Sequence, residues 1–490
     1  MTTTRPTAER LAPAGRAAGT TTGVPGRARW IALAVVCAGS LMNVLDNTIV
    51  SVALPSIRHD LGFSPVSLAW VVNAYLLTFG GFLLLGGRLG DLFGHRRLFV
   101  GGTALFTLSS LACGLAPAQG YLIAARAVQG FGGAVASAVA LSLVVSMFTE
   151  PAERAKAMGV FGFIAAGGGS IGVLLGGVLT EWLSWHWIFL VNVPIGAAVC
   201  AASLRVLPAG RAADRGGRRL DVIGAVLVTA ALMLAVFAIV NASQVGWLSG
   251  RTLGVLGLSA VLLGVFGVVE TRVSSPLLPL RVFRVRNLAA ANAIGVLWAA
   301  AMFALFFLTT LYLQLVLHYS PLEVGLAFLP ANLIMGAFSV GISARLVGRF
   351  GIKWPLSLGL LLAAAGLLLF ARAPVGGQFA PDVLPAIVLL GLGTGMAFNP
   401  VMLAAVGDAE PSESGLASGV LNTSLMMGGA LGLAVLASVA ASRTQHLLAA
   451  RHGQLGALTG GYHAAFLVGA LFAVVAAVLG AALLRPARTR

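Results

Sequence analysis

Long apolar stretches recur along the chain and alternate with short polar segments that are rich in glycine and arginine. An α-helix needs roughly 20 apolar residues to cross the hydrocarbon core of a bilayer, and fourteen stretches approach or exceed that length. They lack the ten-residue alternation that is typical of the strands of an outer-membrane barrel. The pattern predicts an all-α polytopic membrane protein with fourteen spans: 30–54, 67–85, 98–115, 121–147, 157–180, 187–207, 220–241, 252–269, 288–317, 324–347, 354–371, 383–406, 415–441 and 462–484.

The spans divide into two halves of similar length. Six lie in residues 30–207 and six in residues 288–484, and an inserted pair lies in residues 208–287. The sequence RLGDLFGHR at 88–96 is partly repeated as RLVGRFGIK at 345–353, in the equivalent loop of the other half. Repeats of this kind form the central site of many transporters. Two six-helix bundles are therefore predicted, with a disordered cytoplasmic tail at 1–29 and a short tail at 485–490.

Composition agrees with this interpretation. Hydrophobic residues make up 58% of the chain and charged residues 9%, whereas soluble domains carry about 25% charged residues. The three cysteines lie in apolar stretches and are interpreted as packing residues. The bias towards arginine, alanine and glycine indicates a GC-rich, actinobacterial coding sequence.

The net charge of +16 is an orientation signal. In a soluble domain it would suggest a nucleic-acid partner, but the basic residues lie between apolar stretches. If the N-terminus is cytoplasmic, twenty-five of the 31 Lys+Arg residues face the cytoplasm. The excess of basic residues in cytoplasmic loops predicts a plasma-membrane protein with both termini inside and no nucleic-acid partner.

The motifs of common enzymes and ATPases are missing from the sequence. Lys156 and Lys353 are the two lysines, and neither follows the glycine-rich turn of a P-loop. GLGTG at 391–395 lacks the full spacing of a dinucleotide site and is better explained by helix packing. HExxH and clusters of Cys and His are also missing. We therefore expect neither an enzyme nor a bound cofactor or metal.

Two charged residues fall within predicted spans. Asp46 lies nine residues before Pro55 in the first span, and Arg126 lies nine residues after Pro117 in the fourth. Both therefore lie about 13 Å from the outer end of their helix and are predicted to meet across one cavity. A charge inside a membrane is a functional hypothesis by default. The alternative is a static ion pair that only joins two helices.

Helical spacing adds polar neighbours to both charges. Asn43, Asp46 and Asn47 share one face of the first span, and Arg126 and Gln129 share one face of the fourth. Burial disfavours the charged form of a carboxylate, whereas a nearby arginine favours it. A carboxylate whose partner changes between two conformations would change its proton affinity, as proton coupling requires.

At these residues the chain resembles the major facilitator superfamily, and in particular its fourteen-helix drug:proton antiporter branch. The resemblance rests on motifs spread over most of the chain. They are LDNTIVSVALP at 45–55, WVVNAYLL at 70–77, GRLGDLFGHRR at 87–97, RAVQGFGG at 126–133 and LASGVLNTS at 416–424.

The resemblance implies alternating access around a central cavity, with proton exchange at Asp46 and Arg126. It also implies that the loop after the second span controls conformational gating, although that loop can also be read as an orienting cationic cluster. We call it the gating loop; its motif residues are Gly87, Gly90, Asp91, Gly94, Arg96 and Arg97.

A glycine stripe in the fifth span resembles the antiporter motif, with Val173 where the family usually has a proline. Close helix packing alone would also explain the stripe. In the thirteenth span Leu425, Met426 and Met427 replace residues that are commonly polar or basic, which suggests a more apolar site. The motif glycines are Gly168, Gly172, Gly176 and Gly177.

The sequence thus predicts a monomeric, proton-driven exporter of hydrophobic or amphipathic small molecules, such as drugs or antibiotics. An importer or uniporter on the same scaffold is the alternative. Polar residues that are candidates for the substrate cavity, or for hydrogen bonds between helices, are Asn43, Asn47, Asn73, Gln129, Asn292, Asn332, Asn399 and Asn422.

Overall fold

The computed structural model describes residues 26–64, 66–148, 150–208, 221–273, 276–278, 285–407 and 414–484. Within these ranges the chain is helical and contains no strand. Lipid offers no hydrogen-bond partners, so an apolar segment that crosses a bilayer satisfies its backbone by forming a helix. The helices are α1 (Gly26–Leu61), α2 (Ala69–Phe93), α3 (His95–Gly114), α4 (Gln119–Met147), α5 (Pro151–Trp182), α6 (Trp187–Leu190), α7 (Asn192–Val206), α8 (Val222–Val245), α9 (Gly250–Arg272), α10 (Arg286–Leu315), α11 (Pro321–Ala327), α12 (Leu329–Ala337), α13 (Ser343–Phe350), α14 (Lys353–Phe370), α15 (Leu384–Val406), α16 (Ser414–Ala449) and α17 (Gln454–Leu483).

In the described ranges, twelve helices are long and apolar enough to cross a membrane. Two shorter apolar segments, Ile171–Trp182 and Pro321–Ala337, coincide with the predicted fifth and tenth spans. These segments are compatible with fourteen spans, and that number stays a prediction. The predicted tails lie outside the described residues, except that α1 already begins at Gly26.

Two predicted spans are interrupted. The tenth, 324–347, consists of α11, α12, a π-helical turn and α13. Pro330 has no N–H to donate to the preceding turn, and Gly341 in the π-helical turn has a φ of 145°, so the helix does not continue through either point. The sixth is divided at Val191 into α6 and α7, just before Pro194. The tenth predicted span is therefore a series of short helices, whereas the sixth remains one membrane span, Trp187–Val206, with a turn at Val191.

The two halves are in close contact at one end of the bundle. We call the end where α1 begins and α17 ends the termini side, and the other end the far side. On the far side a β-carbon added to Gly177 of α5 would lie 2.6 Å from the carbonyl oxygen of Pro321. Glu181 Oε2 accepts a hydrogen bond from the Leu322 N–H at 2.9 Å, and Gln314 Nε2 donates to the Val52 carbonyl at 2.8 Å. The halves are therefore closed against each other on the far side.

The inserted pair, α8 and α9, lies beside the line where the halves meet. α8 packs against α2 of the first half and α16 of the second. Thr229 of α8 faces Gly81 of α2, where an added β-carbon would lie 1.9 Å from its hydroxyl oxygen. Ser259 of α9 donates to the Ala231 carbonyl at 2.7 Å, which joins the two inserted helices. Most of α9 is exposed, as expected of a helix that faces lipid.

Candidate functional site

Asp46 lies in α1 with its carboxylate completely buried. Its Oδ2 accepts a hydrogen bond from Arg126 Nη1 of α4 at 2.6 Å, and the two side chains are 0% and 1% exposed. Its Oδ1 accepts hydrogen bonds from Gln129 Nε2 at 2.8 Å and from Asn192 Nδ2 at 3.2 Å. Donors from α4 and α7 thus compensate for the water that the buried carboxylate has lost.

Arg126 has neutral partners in addition to Asp46. Its Nε donates to the Val71 carbonyl at 3.0 Å, and its Nη1 also donates to Gln129 Oε1 at 2.7 Å. The guanidinium carbon lies 4.4 Å from the centre of the Tyr75 ring, a distance at which a cation is attracted to the face of an aromatic ring. The cation therefore keeps several favourable contacts that do not depend on the carboxylate.

Two members of this network were missed by the sequence analysis. Asn192 begins α7 and is 2% exposed, and Ser110 of α3 is completely buried. Ser110 Oγ accepts from Gln129 Nε2 at 3.2 Å and from Asn192 Nδ2 at 3.0 Å, and donates to the Phe189 carbonyl at 2.9 Å. The only sequence signal was a neutral polar residue in an apolar segment, which is too common to single out either position.

A cavity of about 920 Å³ lies between the halves. Its lining residues on α5, α15 and α16 come from the turns nearest the termini side, so the cavity lies towards that side. The wall is mainly apolar, with aromatic and methionine side chains from both halves. They include Phe79, Phe161, Phe398, Met402 and Met426.

The charged pair is next to this cavity but not on its wall. The sequence predicts that Asp46 and Arg126 meet across a cavity, whereas the structure shows them in direct contact, outside the set of lining residues. Tyr75 borders the cavity and also covers Arg126. Asn43 and Asn47 of α1 point to the cavity, although helical spacing predicts that they share a face with Asp46. Tyr75 therefore connects the cavity to the pair.

Four of the predicted cavity residues line the wall: Asn43, Asn47, Asn399 and Asn422. The structure places the other four elsewhere. Gln129 belongs to the charged network, and Asn292 Oδ1 accepts a hydrogen bond from Ser424 Oγ at 2.7 Å, which joins α10 to α16. Asn73 and Asn332 are buried away from the cavity.

The glycine stripe packs α5 against the helix that carries Asp46. A β-carbon at Gly172 would lie 2.0 Å from Thr48 Oγ1, and one at Gly176 would lie 2.7 Å from the Ile49 carbonyl oxygen. Gly168 faces α1 in the same way, whereas Gly177 faces Pro321 of the other half. The stripe therefore allows close approach of α5 to α1 and, at its far-side end, of one half to the other.

The gating loop is a sharp turn between α2 and α3. Gly94 has a φ of 92° and ends α2, and a β-carbon at Gly90 would lie 2.5 Å from Val139 Cγ1. Arg96 donates to the Leu204 carbonyl at the end of α7, whereas Arg97 is exposed and nothing lies within 4 Å of a β-carbon at Gly87. The side chain of Asp91 lies outside the described residues.

Two helical bundles, a cavity between them and a buried ion pair beside it define a secondary transporter of the membrane. The chain belongs to the Major Facilitator Superfamily, whose family model matches residues 36–433. It is therefore a multi-pass membrane transporter of small molecules and not an enzyme.

Several relatives match nearly the whole chain. The puromycin resistance protein pur8 of Streptomyces alboniger is 41% identical over 488 residues, 95% of this chain and 96% of that protein. The cephamycin export protein CmcT of Amycolatopsis lactamdurans is 38% identical over 449 residues, 91% of each. Both organisms are actinobacteria, the group that the arginine bias indicates.

Among solved structures, the chain is similar to a bacterial homolog of the human lysosomal transporter Spinster in an inward-facing, unoccupied conformation. The TM-score is 0.66 at 16% sequence identity, and the match covers 93% of this chain and 97% of that one. At this identity the similarity shows a shared fold.

Proposed function

We propose that this protein is a proton-coupled exporter of hydrophobic or amphipathic small molecules, antibiotics among them. The observation that carries the proposal is the 41% identity, over almost the full length of both chains, to a protein named for puromycin resistance. Export and resistance also appear in the names of the cephamycin and tetracenomycin C relatives.

The cavity supports this substrate class. Binding sites for drug-sized molecules are mainly apolar, with a few polar groups that fix orientation. Here aromatic and methionine side chains supply the apolar surface. Asn43 lines the cavity, and its Oδ1 is buried without a hydrogen-bond partner among the described residues, so a substrate donor could bind it after a change of side-chain rotamer. No acidic side chain lies on the part of the wall that the structure describes, which argues against a preference for dications.

The orientation follows from the basic residues. With the termini side in the cytoplasm, the cavity lies towards the cytoplasm and the closed far side faces out, which supports an inward-facing conformation. A substrate would enter from the cytoplasm and leave after the far-side contacts of Glu181 and Gln314 open. One chain contains both halves, the cavity and the ion pair, which supports transport by a monomer.

Asp46 is the proposed proton carrier. Protonation removes its charge and leaves Arg126 without its counter-ion, a change that costs about 3–5 kcal/mol for a buried pair. The Val71 carbonyl, Gln129 Oε1 and the Tyr75 ring remain as neutral partners for the cation. Because Gln129 and Asn192 would lose their charged acceptor, α4 and α7 would change their contacts with α1 when the proton binds.

Transport in inverted membrane vesicles tests the proposal. We expect puromycin to be taken up against its gradient when the lumen is acidic, and its addition to dissipate the pH gradient. A vesicle preparation without the protein is the control. Uptake that is unaffected by the pH gradient would contradict proton coupling, and movement of puromycin only down its own gradient would favour the uniporter.

A further inference from the structure

Two acidic residues of the inserted helix pair converge at the termini side, away from Asp46. Asp221 precedes α8 and Glu270 lies in the last turn of α9, and they are 4% and 3% exposed. A β-carbon at Gly224 would lie 2.7 Å from Asp221 Oδ2 and 2.9 Å from Glu270 Oε1. Both oxygens therefore approach one point in the space that this glycine leaves open.

Each carboxyl group has one anchored oxygen and one free oxygen. Asp221 Oδ1 accepts a hydrogen bond from the Gly224 N–H at 2.7 Å, and Glu270 Oε2 accepts from the Leu278 N–H at 3.0 Å. The other two oxygens, which approach the same space beside Gly224, meet no N–H or O–H donor among the described residues. Ionised carboxyl oxygens can only accept, so they can bond to each other only if one carries a proton.

Cations do not neutralise the pair in the described part of the chain. α8 carries no charged residue, α16 carries none before Arg443, and α9 adds Arg251 at its other end and the exposed Arg272. α2 carries Arg88, which forms no ion pair with these two carboxyl groups within the described ranges, and Asp91, whose side chain lies outside them. Arg218 and Arg219 precede Asp221 outside the described residues.

We propose that Asp221 and Glu270 form a second proton-binding site, separate from the Asp46–Arg126 pair. The proton lies on Glu270 Oε1 and is donated to Asp221 Oδ2. Asp221 is the ionised partner because it caps the N-terminus of α8, where the helix dipole favours a negative charge. Glu270 Oε2 is then the carbonyl oxygen that accepts from Leu278. Two buried carboxylates this close cannot both remain ionised.

This site gives the inserted pair a role. Leu278 follows Leu277, which is 5% exposed and packs with Leu85 of α2 and Ala225 of α8. The protonated pair therefore holds the segment that leads to the second half against α2, the helix that ends in the gating loop. When the proton leaves, two negative charges repel each other in this space, while the Leu278 N–H gains an ionised acceptor, so the contacts of this segment change. Only the transport role of the site rests on the proposed function.

Infrared difference spectroscopy of the purified full-length protein, recorded as pH is raised, tests the proposal. We expect the carbonyl stretch of a protonated carboxyl group at neutral pH, lost at alkaline pH. The Glu270→Gln variant should lose this band, and Asp221→Asn should shift its disappearance to lower pH because the acceptor charge is gone. Glu323→Gln, which removes an exposed capping carboxylate, is the matched control and should retain the band.

Three outcomes would overturn the proposal. The first is the absence of a protonated carboxyl band from the wild type at neutral pH, and the second is a band that persists in Glu270→Gln. The third is a band that Na⁺ removes at constant pH, which would make the pair a sodium site. If the variants do not fold, hydrogen exchange at the Leu278 amide of the wild type gives a second measurement. Corrected for the intrinsic effect of pH, its exchange rate should change at the pH at which the band is lost, because the charge on its acceptor changes, and unchanged protection would contradict the proposal.

The band should survive in Asp46→Asn. Failure of proton coupling at Asp46 would therefore leave this proposal standing, and the absence of the band would leave the proposed function standing.

Discussion

The ring of Tyr75 covers the guanidinium of Arg126, 4.4 Å from ring centre to guanidinium carbon, while the same side chain borders the cavity. A ligand in the cavity can thus contact a group that also touches the buried ion pair. In the described ranges, no other cavity-lining residue forms a hydrogen bond, an ion pair or a cation–π contact with Arg126.

This relationship predicts that Tyr75→Leu will uncouple substrate binding from proton exchange. A desolvated cation–π contact contributes about 2 kcal/mol, which corresponds to roughly 30-fold in an equilibrium. We expect a decrease of that order in puromycin-dependent proton release, measured in inverted vesicles. Tyr75→Phe keeps the ring and is the control. A similar loss in both variants would show that the hydroxyl, and not the ring, is required.

Asn192→Ala should weaken proton coupling although the residue is not charged. It removes a donor to Asp46 Oδ1, and a hydrogen bond to a charged group contributes about 1.5–3 kcal/mol. We expect the proton affinity of the carboxyl group that governs transport to increase roughly 10- to 100-fold, because its ionised form loses a donor. The pH profile of transport should therefore shift to higher pH. Asn241→Ala in α8, whose amide bonds only the Phe237 carbonyl of its own helix among the described residues, is the matched control. An unchanged pH profile in Asn192→Ala would remove the residue from the network.

Removing Arg126 alone should be worse for stability than removing both charges. Arg126→Gln leaves a buried carboxylate without its counter-ion, at a cost of about 3–5 kcal/mol, whereas Asp46→Asn combined with Arg126→Gln leaves two neutral side chains. Thermal unfolding in detergent should give a lower midpoint for the single variant than for the double variant. Equal midpoints would mean that the carboxylate left without its counter-ion costs little, which would contradict the prediction.

Gly177→Ala should disfavour the conformation that is closed on the far side. Its new methyl group would lie 2.6 Å from the Pro321 carbonyl oxygen, between the halves. Electron resonance distances between labels on the far-side ends of α5 and α16 should shift to longer values. Gly169→Ala is the control on the same helix, because the nearest atom, Thr48 Cγ2, lies 3.7 Å from the added carbon. Identical distances in the two variants would contradict this role for Gly177.

Hydropathy predicted most of the architecture, because a segment of sufficient length has only the helix available in lipid. It failed at the tenth span, where the interruption depends on Gly341, a residue that looks like the many other glycines of the chain. The similar distances of Asp46 and Arg126 from the outer ends of their helices correctly predicted that the two charges meet, since an unpaired charge in a membrane is costly. Direct contact, instead of contact across a cavity, depends on side-chain packing that spacing does not encode.

Neutral polar residues were harder to interpret. Asn43 and Asn292 look alike in sequence, yet one faces the cavity and the other bonds Ser424. Asn192 contacts the carboxylate only because α7 packs beside α1 and α4. The amide of an asparagine can form a hydrogen bond with a ligand, with a neighbouring helix or with a charged group, and the tertiary structure decides which of these it contacts.

The most direct test of the account is proton release by Asp46→Asn in inverted vesicles that have been loaded with acid. We predict that puromycin no longer dissipates the pH gradient and is no longer accumulated, while the amount of folded protein is unchanged. Asp60→Asn, at the far-side end of the same helix and bonded only to Trp185 among the described residues, should behave like the wild type. Normal puromycin-dependent proton release by Asp46→Asn would contradict the account.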